Sequence, residues 1–194
     1  MVERENCVYT ACFCEENVYK FISENSGHFE DMFAVFISNP LKQCAIWYQK
    51  MSEDPTVIPV CWDYHVVVIA KKSLNFLVYD LDTALSFPCP LEEYLSQCFR
   101  PSPSEISQWW YQFAIKTGHY FRPVNSYDFL ETFSSDRSHM IDKTTGRWNS
   151  PPPKYEPIFK PDLGSTLLDF LDFENTSLPG KWLDYDQFSQ YFSN

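Results

Sequence analysis

The sequence predicts an α+β fold in which a central antiparallel sheet packs against an N-terminal helix that carries a thiol in its first turn. Three observations predict it. A polar loop passes into an apolar stripe at helical spacing directly after Cys12-Phe13-Cys14-Glu15-Glu16-Asn17. Short runs rich in β-branched and aromatic residues follow between positions 33 and 122. The clearest of them, from Val60 to Ala70, is joined through Lys71-Lys72-Ser73 to a second run, Phe76 to Asp82, which is the pattern of a β-hairpin in the middle of the sheet.

Taken in order, Val18, Phe21 and Ile22 form the helical stripe, and Glu15 and Glu16 suit the positive end of the helix dipole. Asn25-Ser26-Gly27-His28 is a turn. Phe33 to Ser38 reads as a buried strand ended by Asn39-Pro40, and Cys44 to Tyr48 as a second strand. After the hairpin, Pro90 opens a helix through Leu91, Tyr94, Leu95 and Cys98 that Pro101 and Pro103 stop. Positions 104–118, with Trp109 and Trp110, are readable as helix or as loop. A strand near His119 to Arg122 and a helix from Ser126 to Phe133 precede a polar, proline-bearing stretch from Ser134 to Pro157. Within it, Pro151-Pro152-Pro153 suits polyproline II, as part of an ordered surface loop or as an SH3-type ligand. Two short amphipathic helices finish the chain, near Thr166 to Phe173 and Tyr185 to Phe192. Asp184 and Gln187 are spaced to cap the second.

Composition narrows the functional classes. The 194 residues are 44% hydrophobic and 18% aromatic, enough apolar mass for one core, and a single domain over 1–194 is expected. Fifteen basic against 26 acidic side chains give a net charge of −11, which argues against nucleic acid and against anionic membrane surfaces and favours a cationic ligand. Seven cysteines are an odd number, no apolar leader begins the chain, and no apolar run is long enough to span a bilayer. A monomeric cytoplasmic protein with reduced thiols is expected, with the nucleus as a further location. Cys7, Cys12 and Cys14 have no His or Cys partner at customary ligand spacing, so no metal is expected.

Three residues of this pattern are the parts of a nucleophilic site. A thiol at a helix start has its pKa lowered by unpaired N–H groups and the dipole, although the two flanking glutamates push the other way and a nearby imidazolium would compensate. Period-two alternation puts Asp63, His65, Val67 and Ile69 on one face of the central strand and Trp62, Tyr64, Val66 and Val68 on the other. Closing the hairpin through Lys72-Ser73 sets His65 opposite Asp80, whereas a register shifted by two sets Asp82 there instead. The pair could equally be a structural tie between strands. With Cys14 it makes the set Cys14, His65 and Asp80, in the chain order of papain-like and transglutaminase-like enzymes. His139 is the competing imidazole, in a polar run that suits loop anchoring. His28 and His119 sit in turn and edge contexts.

Six motifs in one order carry a resemblance: Cys12 to Asn17, Trp62 to Val68, Tyr79 to Thr83, Phe87-Pro88-Cys89, Ser135 to Met140, and Gly146-Arg147-Trp148 with Pro151 to Pro153. Together they resemble the protein N-terminal glutamine amidohydrolase family, from about Cys7 to Tyr155. The chain departs from that pattern in a shorter hairpin turn and in positions 104–118. The resemblance implies a papain/transglutaminase-like α+β cysteine amidase fold and deamidation of an N-terminal Gln side chain to Glu, with ammonia released and the product entering the N-degron route. It also implies Cys14, His65 and Asp80 as catalytic residues, proteins or peptides with a free N-terminal Gln as substrates, and no cofactor. A cysteine protease or acyl transferase on the same scaffold and a non-catalytic interaction module are the rival readings. Because the distinguishing mark of such a substrate is its α-ammonium group, a carboxylate must meet it, and Glu16 and Asp63 are the candidates.

Overall fold

The computed structural model describes residues 2–99 and 106–193. The expected helix stops at Pro101 and Pro103 lie outside the described residues. Helix α1 (Cys14–Asn25) begins at the predicted residue and is followed by β1 (Met32–Ser38) and β2 (Cys44–Ile46). Strands β3 (Val60–Trp62), β4 (Tyr64–Lys72), β5 (Asn75–Tyr79) and β6 (Cys89–Pro90) lead to α2 (Leu91–Phe99). Then come α3 (Gln108–Thr117), β7 (Tyr120–Asn125) and α4 (Ser126–Thr132), and the chain closes with α5 (Leu167–Phe170), β8 (Leu183–Asp184) and α6 (Tyr185–Tyr191).

Six strands form one sheet in the order β6-β5-β4-β1-β7-β8, with every pairing antiparallel. This is the predicted α+β architecture, with β4 and β1 at its centre. Because both faces are covered, β1 and β4 are buried along nearly their whole length. One face packs Val66 and Val68 against Val18, Phe21 and Ile22 of α1 and against Phe129 and Phe170. The other packs Val67 and Ile69 against Tyr94 and Leu95 of α2 and Phe188 of α6.

Positions 108–117 are helical. Ser107 caps α3 by accepting from the Trp110 N–H at 3.3 Å, and Gly118 ends it at a φ of 67° that a β-carbon would strain. The capping pair at α6 forms as expected, with Asp184 accepting from the Gln187 N–H at 2.9 Å and the Gln187 side chain accepting in return at 3.0 Å.

Two expectations for the hairpin need correction. The continuous strand from Val60 breaks at Asp63, whose Oδ1 accepts from its own neighbour's N–H at Tyr64 and whose carbonyl accepts from Ser38 Oγ. The broken piece, β3, pairs with β2 in a separate two-stranded sheet. The bend resets the alternation, so Trp62 lands on the face of Val67 rather than that of Tyr64, and its indole stacks on the His65 ring with centroids 4.9 Å apart. The turn is also one residue later than expected: Lys72 pairs with Asn75, and Ser73 takes a left-handed φ of 57°. Continued, this register would bring Asp82 opposite His65. The ladder stops first, because β5 pairs with β4 only as far as Tyr79 with Val68.

Candidate active site

The loop before α1 is tied to the helix by Asn17, whose side chain accepts from the Thr10 N–H at 2.8 Å and donates to the Thr10 carbonyl at 2.9 Å. This sets Cys14 as the first residue of α1, 5% exposed, and the N-cap residue, Phe13, offers no side-chain acceptor to the N–H groups there. Val66 has no β5 partner, and its N–H donates to Cys14 Sγ. The sulfur therefore sits one residue along β4 from His65.

His65 is fully buried, with Nε2 2.9 Å from Asp80 Oδ1. Asp80 is in turn saturated. Its Oδ1 also accepts from the Asp82 N–H at 2.9 Å, and its Oδ2 accepts from Gln49 Nε2 at 3.0 Å and the Tyr94 hydroxyl at 2.9 Å. Such a frame fixes the ring and the tautomer, leaving Nδ1 of His65 as a buried nitrogen without a hydrogen-bond partner among the described residues. Asp82 is held elsewhere, by the Tyr9 hydroxyl at 2.5 Å.

Electrostatics separate the roles. Burial disfavours the imidazolium of His65, but the Asp80 carboxylate more than offsets this and raises its pKa above the ordinary value. Burial alone would raise the pKa of the Asp80 carboxyl, but His65, with the Gln49 and Asp82 donors, outweighs it and holds the group below its ordinary value. For Cys14, burial, then Glu15, then Asp82 push the thiol well above its ordinary value, and the Val66 N–H opposes them only in part. The expected lowering by the helix start is thus outweighed, and the resting sulfur is a neutral thiol that would need a base to react.

His65, Asp80 and Asp82 also bring one ligand atom each within 4.8 Å of one another. That donor set does not suit a cation, because the four donors on the Asp80 oxygens occupy the positions through which it would coordinate.

A cleft of about 400 Å³ opens over the thiol, lined by Cys12, Cys14, Trp62, Asp63, Tyr64 and His139 among others. Asp63 stands exposed at it. Glu16 does not, and the expectation that it meets a substrate is corrected: both its oxygens are taken by Arg137, at 2.7 and 2.8 Å, in a fully buried bidentate pair. The reason is helical geometry, since residues adjacent on α1 point about 100° apart and Glu16 faces the loop after α4.

Sequence reasoning missed Gln49, which it left unassigned, and Tyr94, which it read only as part of the helix after Pro90, and no local signal distinguishes them. It also undervalued Glu15 and His139. Glu15 accepts from the Tyr64 hydroxyl at 3.1 Å, and His139 Nε2 lies 3.4 Å from it. His119 is a half-buried histidine bonded to the Ala45 carbonyl, its pKa lowered by burial to about 4.

Residues 9–192 match the profile of the family described as N-terminal glutamine amidase. The chain belongs to that family. Protein N-terminal glutamine amidohydrolase of Homo sapiens is 41% identical over 177 residues, covering 88% of this chain and 80% of the relative. The Bos taurus protein of that name is 40% identical over 176 residues with the same coverage, and that of Danio rerio 37% over 191 residues, covering 96% and 89%. By family, this chain is an amidohydrolase.

Proposed function

We propose that this chain hydrolyses the side-chain amide of an N-terminal glutamine of proteins and peptides, giving N-terminal glutamate and ammonia through a Cys14 thioester. The observation that carries the reading is the buried His65-Asp80 pair, with His65 Nδ1 unfilled, one residue from the strand N–H that holds Cys14 Sγ. On this reading the fold is of the papain/transglutaminase-like kind, as one catalytic domain acting as a cytoplasmic or nuclear monomer that feeds the N-degron route and needs no cofactor.

The chemistry follows from the resting protonation. His65 Nδ1 takes the thiol proton as sulfur bonds to the amide carbon, and Asp80 stabilises the imidazolium that forms. The uncapped N–H groups at the start of α1 receive the oxyanion, a contribution on the order of 10²–10³ in rate. The C–N bond breaks as His65 returns the proton to the leaving ammonia. Water then gives a proton to His65, attacks the thioester and expels the sulfur, which recovers that proton. The product is a glutamate side chain.

Asp63, exposed at the cleft, steers a cationic chain start towards the thiol on this reading. Mass spectrometry of a peptide beginning with Gln tests the whole. Conversion of one amide to an acid with ammonia released, absent in Cys14→Ser, is expected. An N-terminal Asn, one methylene shorter, is expected to react about 10²-fold less well. Chain cleavage, or ammonia from internal Gln at equal rate, would overturn the assignment.

A further inference from the structure

Glu15 is the buried ionisable group beside the nucleophile for which this reaction has no use. It is fully buried, with Oε2 bonded to the Tyr64 hydroxyl and 3.6 Å from Cys14 Sγ. Oε1 has no hydrogen-bond partner among the described residues. The His139 ring nitrogen at 3.4 Å is near enough for an ion pair but out of line for a hydrogen bond, and it lies 3.3 Å from the Tyr64 hydroxyl as well. A carboxylate oxygen buried without a donor is unfavourable, and an anion next to the thiol opposes the charge the reaction must develop there. Glu15 therefore carries two local penalties.

A cation that arrives with the substrate would relieve both. The α-ammonium of an N-terminal residue is mostly protonated at neutral pH, with a pKa of about 7.7–8.0. In glutamine it lies four bonds from the amide carbon, on the order of 5 Å when extended. With that carbon at attack distance from the sulfur, roughly 3–3.5 Å, the ammonium is within reach of a carboxylate that itself lies beside the sulfur. The three side chains that surround the Glu15 carboxylate, Cys14, Tyr64 and His139, all line the cleft. Asp63 is exposed, so its contact with the same cation is screened by water.

We propose that Glu15, through Oε1, is the short-range partner of the substrate's α-ammonium, His139 turning aside to admit it, and that this cation neutralises the carboxylate beside the Cys14 thiol. The substrate thus completes the site that acts on it. An internal glutamine has no such cation, so it is neither held nor met by an activated thiol.

This inference rests on the amidase reading, and it is tested by binding, which needs no turnover. Calorimetry would compare a tripeptide beginning with norleucine, which has the ammonium but no amide, with its Nα-acetylated form. The wild type is expected to bind the free-amine peptide at least tenfold more tightly. Glu15→Gln should lose that preference while Asp63→Asn changes it less than threefold. Retention of the preference in Glu15→Gln, or its loss in Asp63→Asn alone, overturns the proposal. If Glu15→Gln does not fold, Tyr64→Phe serves instead. It removes a donor from the same carboxylate and should bind the free-amine peptide as tightly or more so, and a lost preference there overturns the proposal. Methylammonium ion, too small to cover the sulfur, should speed alkylation of Cys14 by iodoacetamide several-fold in the wild type and not in Glu15→Gln; no acceleration in the wild type removes the activating role. Ammonia release from a Gln peptide by the wild type is scored separately, so that its absence counts against the amidase reading and not against the anchor.

Discussion

Asp80 reaches His65 from outside the strand ladder. The two are 2.9 Å apart at Oδ1 and Nε2, yet the last β4-β5 ladder pair is Val68 with Tyr79. The carboxylate comes from the turn after β5, where Gln49, Tyr94 and the Asp82 N–H hold it against the ring.

This makes the two nearby aspartates unequal. Asp80→Asn should lower ammonia release by about 10²-fold or more, because an amide can orient the ring but cannot stabilise an imidazolium. Asp82→Asn removes a charge but keeps an oxygen that can accept from the Tyr9 hydroxyl, and should cost far less. Steady-state rates of the two variants decide it, and equal losses would mean that Asp80 has no privileged role.

The thiols are likewise unequal. Cys12 lines the cleft but precedes the helix in a left-handed conformation, while Cys14 is the first helical residue with the Val66 N–H on its sulfur. Cys14→Ser should abolish ammonia release and Cys12→Ser should retain most of it. Activity surviving in the first variant but not the second would move the nucleophile to Cys12.

The pH profile should be bell-shaped in kcat/KM. On the proposed mechanism His65 must be neutral to take the thiol proton, so the rate should rise as pH passes its pKa, which Asp80 holds above the ordinary value of about 6.5. The rate falls again as the substrate's α-ammonium deprotonates at about 7.7–8.0. In Asp80→Asn burial is opposed only by the weaker pull of Asp82 and Glu15, so the acid limb should move to lower pH even as the rate drops. An acid limb that does not move would show that Asp80 does not set it.

Arg137 should matter to stability before chemistry. Its pair with Glu16 is buried on both sides, and removing one partner strands the other charge, a cost of about 3–5 kcal/mol. Arg137→Ala should show that loss in urea unfolding, and Arg137→Lys should recover only part of it, since an ammonium cannot reproduce the two-pronged contact. It also bonds the Pro153 and Tyr155 carbonyls, so the proline run is built into this packed loop. A loss below about 1 kcal/mol would place the pair among the weak surface bridges.

What the sequence by itself determined was local in nature. The start of α1 at Cys14, the hairpin and the capping of α6 each follow from spacing and residue type within a few positions, because helix and strand periods and capping geometry are short-range properties. The residue types Cys14, His65 and Asp80 were legible too, but Asp80 emerged from a register that does not occur. Only the tertiary structure decided that the ladder ends at Tyr79, that the bend at Asp63 puts Trp62 on the His65 ring, and that Gln49 and Tyr94 frame the carboxylate. Glu15 and Glu16 show the limit most plainly. They are adjacent and of one chemistry, and their separate fates depend on Tyr64 and on Arg137, 49 and 121 residues away. No local period reports such pairings, because which carboxylate meets which partner depends on where each element of the packed chain points it.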